Sequence, residues 1–164
     1  MNKVCALAAA LLAAGSARAT ETSEVPQFSV SLGGGFAYEI VGLNLALRVD
    51  HVEGYLGLGL LTLIPGAAFG ARWFPRPDGA GFFLGLNGGF HSYTGSFFEN
   101  GATGGRFVSA TLTPGYRFAW EHFFLQAAVG GGFLYALTFY YRPPSPTKNW
   151  TFFPDAMLAL GLRF

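Results

Sequence analysis

The closing stretch Asp155-Ala156-Met157-Leu158-Ala159-Leu160-Gly161-Leu162-Arg163-Phe164 decides the fold. Ala156, Leu158, Leu160, Leu162 and Phe164 share one parity; Asp155, Met157, Ala159, Gly161 and Arg163 share the other. Successive side chains of a strand point to opposite faces, so this is a strand with one apolar face and one small or charged face. Three more segments repeat the pattern. Over 27–36, Phe28, Val30, Leu32, Gly34 and Phe36 oppose Gln27, Ser29, Ser31, Gly33 and Gly35. Over 41–50, Val41, Leu43, Leu45, Leu47 and Val49 oppose Gly42, Asn44, Ala46, Arg48 and Asp50. Over 107–118, Val108, Ala110, Leu112, Pro114, Tyr116 and Phe118 oppose Ser109, Thr111, Thr113, Gly115 and Arg117. Each segment is about ten residues long, the length of a tilted strand that crosses a bilayer with its apolar face to lipid.

Composition agrees with that setting. Hydrophobic residues make up 51% of the chain, aromatics 17% and charged residues 12%, the last about half the share of an ordinary soluble domain. Two 20-residue runs, Gly79–Phe98 and His122–Tyr141, carry no Asp, Glu, Lys or Arg, and either is long enough to cross as a helix. Their residues argue otherwise. Gly79, Gly81, Gly85, Gly88, Gly89 and Gly95 interrupt the first, and Gly130-Gly131-Gly132 the second. Glycine is a poor helix former, and the Phe, Tyr, Val and Thr around it fit a pleated sheet.

Further strands are expected at about 55–64, 67–74, 82–93 and 123–138, making eight in all. Backbone groups at an open edge have no partner in lipid, so the sheet must close into an antiparallel up-and-down barrel. Short turns are expected at His51–Gly54, Pro75–Gly81 and Ala119–His122, and long connections at Thr94–Gly105 and Phe139–Thr151. Pro114 lacks an N–H inside this edgeless sheet, which predicts a β-bulge there. Aromatic girdles follow from the same frame. Phe28, Trp73, Phe82, Phe118, Trp120, Phe123 and Phe164 belong to the rim at the chain ends, and Phe36, Tyr38, Phe90, Tyr135 and Tyr141 to the opposite one.

Residues 1–19 have the anatomy of a cleaved export signal: Met1-Asn2-Lys3, an apolar run from Val4 to Ala14, then Ala17-Arg18-Ala19 at the cleavage point. Residues 20–164 then form the single mature domain. Cys5, the one cysteine, leaves with the signal, as do Lys3 and Arg18. The ten basic side chains thereby become eight against nine acidic ones, which gives no electrostatic case for nucleic acid.

With its signal, its alternating strands and a final Phe164 preceded by Leu162, Leu160 and Leu158, the chain resembles the small eight-stranded outer-membrane barrels of Gram-negative bacteria, of OmpX and OmpA type. The resemblance implies residence in the outer membrane, contact with its lipid and lipopolysaccharide, and recognition of Leu158, Leu160, Leu162 and Phe164 by the outer-membrane assembly machinery. No Cys or His cluster has metal-ligand spacing, and no cofactor or metal is expected. Members of that class include structural and adhesive barrels, narrow channels and lipid A-modifying enzymes, so the fold does not choose among them.

Three functional readings follow. The expected one is a non-enzymatic barrel whose outer loops meet the surroundings through Phe97, Phe98, Tyr141, Arg142, Lys148 and Trp150, since exposed aromatics with Arg are typical of contact surfaces. The second is a lipid A or phospholipid acyl-ester enzyme. His91 faces the lumen by alternation, and Ser92, Ser96 and Glu99 follow it, supplying a base, hydroxyls and a carboxylate. The deacylase barrels are known for a His-x-Ser pair on one face, whereas His91 and Ser92 are adjacent here. The third is a narrow pore lined by Arg48, Asp50, Arg72, Arg117, Asp155 and Arg163; side chains filling the interior are the alternative. The Gly33-Gly34-Gly35 and Gly130-Gly131-Gly132 runs lack the Lys-Ser/Thr of a phosphate loop.

Overall fold

A computed structural model describes residues 26–38, 40–59, 66–94, 104–139 and 150–164. Eight strands follow in chain order: β1 Gln27–Gly35, β2 Ile40–Val49, β3 Val52–Gly59, β4 Ala67–Trp73, β5 Gly81–Thr94, β6 Gly104–Ala119, β7 Phe123–Phe139 and β8 Trp150–Arg163. Each pairs antiparallel with the next, and Ser29–Gly34 of β1 pairs with Leu158–Arg163 of β8, closing the sheet into a barrel. The two uncharged runs that rival a barrel on length become parts of β5 and β7, and no helix among the described residues is long and apolar enough to cross a membrane.

Alternation sets which face is which. Leu45, Leu56, Phe69, Leu86, Val129, Phe152 and Leu160 point outward, with between 46% and 68% of their surface exposed. Asn44, Glu53, Arg72, Thr113 and Gln126 point inward and are 2% exposed or less. A soluble barrel has the reverse arrangement, because water favours a polar exterior. Phe28, Trp73, Phe82, Phe118, Trp120, Phe123 and Phe164 are all outward-facing, on the end that holds both described termini and the turns after β2, β4 and β6. This is the terminal end of the barrel, and the opposite one is the far end.

Three expectations need correction. β3 begins at Val52 rather than near residue 55, because the turn is only Asp50-His51, with Asp50 at φ 52°. Asp is among the few side chains that tolerate the left-handed region, and a two-residue turn needs it. No bulge forms at Pro114. The β6–β7 register is the same on both sides of it, Leu112 opposite Gly131 and Gly115 opposite Ala128, with the pairs between them missing. Without an N–H, Pro114 omits a ladder bond and inserts no residue. The register shift lies instead at Arg106/Phe107. Finally, Phe36 and Tyr38 do not join the far girdle; they turn inward.

That inward turn closes much of the lumen. Gly35, at φ +114°, redirects the chain into a short 3-10 turn, Phe36–Tyr38, whose Ala37 and Tyr38 are buried inside the barrel. At the terminal end the 74–80 turn tucks in likewise. Phe74 is buried 5.5 Å from Phe83, ring centre to ring centre. The Phe74 N–H donates to the His51 carbonyl at 2.8 Å, and His51 Nδ1 meets the Phe74 carbonyl at 2.8 Å. Gly79, at φ +67°, lies flat on Arg48, where a Cβ would come within 2.8 Å of the guanidinium carbon.

Candidate functional site in the lumen

The inward faces of β1 and of β3 to β8 converge on two polar groups, one in each half of the barrel. In the terminal half, Glu53 of β3 is the hub. Its Oε1 accepts from Arg72 Nη1 and Arg117 Nη2, and its Oε2 from Arg117 Nη1, all at 2.7 Å. Register explains the first contact, since Glu53 sits directly opposite Arg72 on β4. Arg117 reaches Glu53 across the lumen and also donates to Gln126 Oε1 at 2.7 and 3.0 Å. Aromatic faces cover what the carboxylate leaves. Arg72 lies 4.0 Å over the Tyr55 ring, and Arg117 lies between Phe74 and Phe124 at 4.6 and 4.4 Å. Charges removed from water need such complete pairing, because each stranded ion costs several kcal/mol.

The network continues upward through Gln126, and a second chain starts at Tyr55, whose ring Arg72 covers. Gln126 Nε2 donates to the Tyr38 hydroxyl at 2.9 Å, and that hydroxyl shares a 2.7 Å hydrogen bond with Ser31. The Tyr55 hydroxyl donates to Asn87 Oδ1, and Asn87 Nδ2 donates to Thr111 and Thr113 at 2.8 and 3.0 Å. Chains of this kind polarise one another and hold a single arrangement.

In the far half, His91 Nε2 lies 2.6 Å from Ser109 Oγ. The Phe36 ring meets His91 edge-on at 5.1 Å and lies 4.1 Å from Phe153. The Phe36 N–H donates to Asp155 Oδ1 at 3.2 Å, which ties the inward turn to β8.

The residues expected in the lumen divide. Arg48, Arg72, Arg117 and Asp155 point inward and are buried. Arg48 Nη2 donates to Gln27 Oε1 at 2.6 Å. Asp50 does not belong with them: it stands exposed in the β2–β3 turn, because the turn begins one residue before the alternation would end. Arg163 sits at the rim and donates to the carbonyls of Glu121 and Asp78 at 3.0 and 3.2 Å. Ser92 follows His91 on a regular stretch of β5 and so has the opposite parity. Ser96 and Glu99 lie outside the described residues, as do the loop positions Phe97, Phe98, Tyr141, Arg142 and Lys148. Trp150 is exposed at the start of β8, its ring 4.7 Å from Tyr135. Leu158, Leu160, Leu162 and Phe164 are exposed on the outer wall.

Sequence reasoning missed Glu53, which it placed in a turn, and Ser109, the partner His91 actually meets. The parity of Glu53 with Tyr55 and Gly57 was a usable signal for the first. No family model matches this chain, and no match was found among curated proteins or among solved structures.

Proposed function

We propose that this chain is an integral outer-membrane β-barrel, closed along its lumen, that serves as a scaffold presenting its far end and connecting loops to the cell's surroundings. The carrying observation is the inverted wall: large apolar side chains outside, a charged and hydrogen-bonded network inside. Exposed apolar surface on that scale favours lipid over water by roughly 25 cal/mol per Å². A sheet with no free edge is also what hydrocarbon requires of a spanning β structure. The signal-like 1–19 segment and the alternating Leu158, Leu160, Leu162 and Phe164 support export and assembly in the outer membrane. Lipid and lipopolysaccharide are then its immediate neighbours, with Trp73, Trp120 and the terminal-end phenylalanines at one lipid–water boundary.

The scaffold reading is favoured over a pore by the filling of the lumen. Arg72, Tyr38, Phe74, Phe83, Phe124 and Gln126 are among the largest fully buried side chains, and they come from three strands and both inward turns. Eight strands leave room for little else. The test is expression with the native signal, followed by membrane fractionation and planar-bilayer recording. Recovery with the outer membrane after alkaline washing, with no discrete conductance, is the expected result. A wash-soluble protein would end the membrane reading, and steady single-channel steps would end the closed-lumen reading.

A further inference from the structure

The scaffold role leaves unused a nucleophile and a base in the far half of the lumen. Ser109 on β6 pairs with Gly89 on β5, and His91 pairs with Phe107. Ser109 and His91 are therefore diagonal neighbours on the inward face, and Gly89 contributes no side chain between them. That vacancy lets the imidazole lean towards the hydroxyl, and Nε2 reaches Oγ at 2.6 Å. This is the contact a general base needs with the proton it removes. Unlike the sealed network of the terminal half, both side chains are only half-buried. One wall beside them is apolar: Phe36 stands edge-on to His91 at 5.1 Å, with Phe153 4.1 Å beyond it. The wall is anchored, since the Phe36 N–H donates to the buried Asp155 at 3.2 Å.

We propose that Ser109 and His91 form an acyl-transfer dyad for carboxylic esters with an apolar acyl arm, which the Phe36–Phe153 wall receives. Ser109 Oγ attacks the ester carbonyl carbon while its proton passes to His91 Nε2. The ester C–O bond breaks, the proton moves to the departing alkoxide, and an alcohol leaves acyl-Ser109 behind. Water then gives a proton to His91 and its hydroxide to the carbonyl carbon. The Ser109 oxygen departs, recovers that proton, and the free acid is released. The dyad requires only the barrel's register, so its failure would leave the membrane reading, which rests on the outer wall, unaffected.

Covalent capture tests the dyad directly. The full-length exported protein, folded in detergent micelles, is treated with a long-chain alkyl fluorophosphonate and analysed by intact mass and peptide mapping. One phosphonyl adduct on Ser109 is expected, with fluoride lost. It should vanish in Ser109→Ala and form at least about 100-fold more slowly in His91→Asn, the lower range of general-base contributions. Circular dichroism checks that both variants keep the barrel. Should His91→Asn not fold, His91→Gln provides the same comparison. An unmodified Ser109 in the folded parent, or one labelled equally fast without the imidazole, would reduce the pair to a hydrogen bond of the lumen.

Discussion

Replacing Glu53 with Gln removes one negative charge from the lumen and almost no volume. The native carboxylate accepts three hydrogen bonds of 2.7 Å from Arg72 and Arg117, and all three residues are 5% exposed or less. Hydrogen bonds to charged groups contribute about 1.5–3 kcal/mol each, but these share one acceptor and one another's geometry, so they do not add. A better measure is the roughly 3–5 kcal/mol lost when one partner of a buried ion pair is removed. Two guanidiniums are stranded here, which points to the upper part of that range. Their contacts with Tyr55, Phe74 and Phe124 are present in parent and variant alike and so leave the difference unchanged. The expectation is a loss of about 4 kcal/mol. Urea unfolding of the protein in lipid vesicles, followed by tryptophan fluorescence, measures it. Replacing Glu53 by Leu together with Arg72→Met and Arg117→Met should recover most of the loss, because the buried charges are then gone. A single Glu53→Gln variant within about 1 kcal/mol of the parent would refute the reasoning, as that is the worth of an exposed pair.

Three further substitutions probe the wall. Pro114→Val restores an N–H where the β6–β7 pairs are missing, and the urea midpoint should rise by an amount equivalent to about 1 kcal/mol; a lower midpoint would show that the omitted bond is not a weak point. Gly132→Ala places a Cβ against the Ala110 carbonyl oxygen, and overpacking of that kind costs about 1–3 kcal/mol. Gly54→Ala meets nothing within 4 Å and should be neutral or more stable by up to about 1 kcal/mol. Equal unfolding midpoints for the two alanine variants would contradict the difference in crowding.

Alternation made the barrel legible. Strands with one apolar and one polar face announce their phase, so β1 and β2 begin within a residue of where the pattern places them, although β6 and β8 start ahead of it, at Gly104 and Trp150 rather than at Phe107 and Asp155. The start of β3 was hidden because His51-Val52-Glu53-Gly54 reads as a polar turn, while the turn is made by Asp50 in the left-handed region. That shift concealed Glu53, the hub of the terminal-half network. The inward fold of Phe36–Tyr38 was illegible for a different reason. Three residues carry no periodicity, and Tyr38 is held by Ser31 on β1 and by Gln126 on β7, the latter far away in the chain. The His91–Ser109 pair needs one thing more. Alternation fixes the phase of each strand but not the offset between strands, so a hydroxyl 18 residues away was less visible than the adjacent Ser92.

Everything rests on the outer wall meeting lipid. Cys5 is the only cysteine, so single spin labels can be introduced after its replacement by Ser. Outward positions Leu45, Leu56, Leu86 and Leu160 would be compared, in reconstituted vesicles, with the exposed terminal-end residues Asp78 and Glu121. Collision with dissolved oxygen should dominate at the four leucine positions, and collision with a water-soluble nickel complex at Asp78 and Glu121. Nickel access at the leucine positions equal to that at Asp78 would contradict a lipid-facing wall.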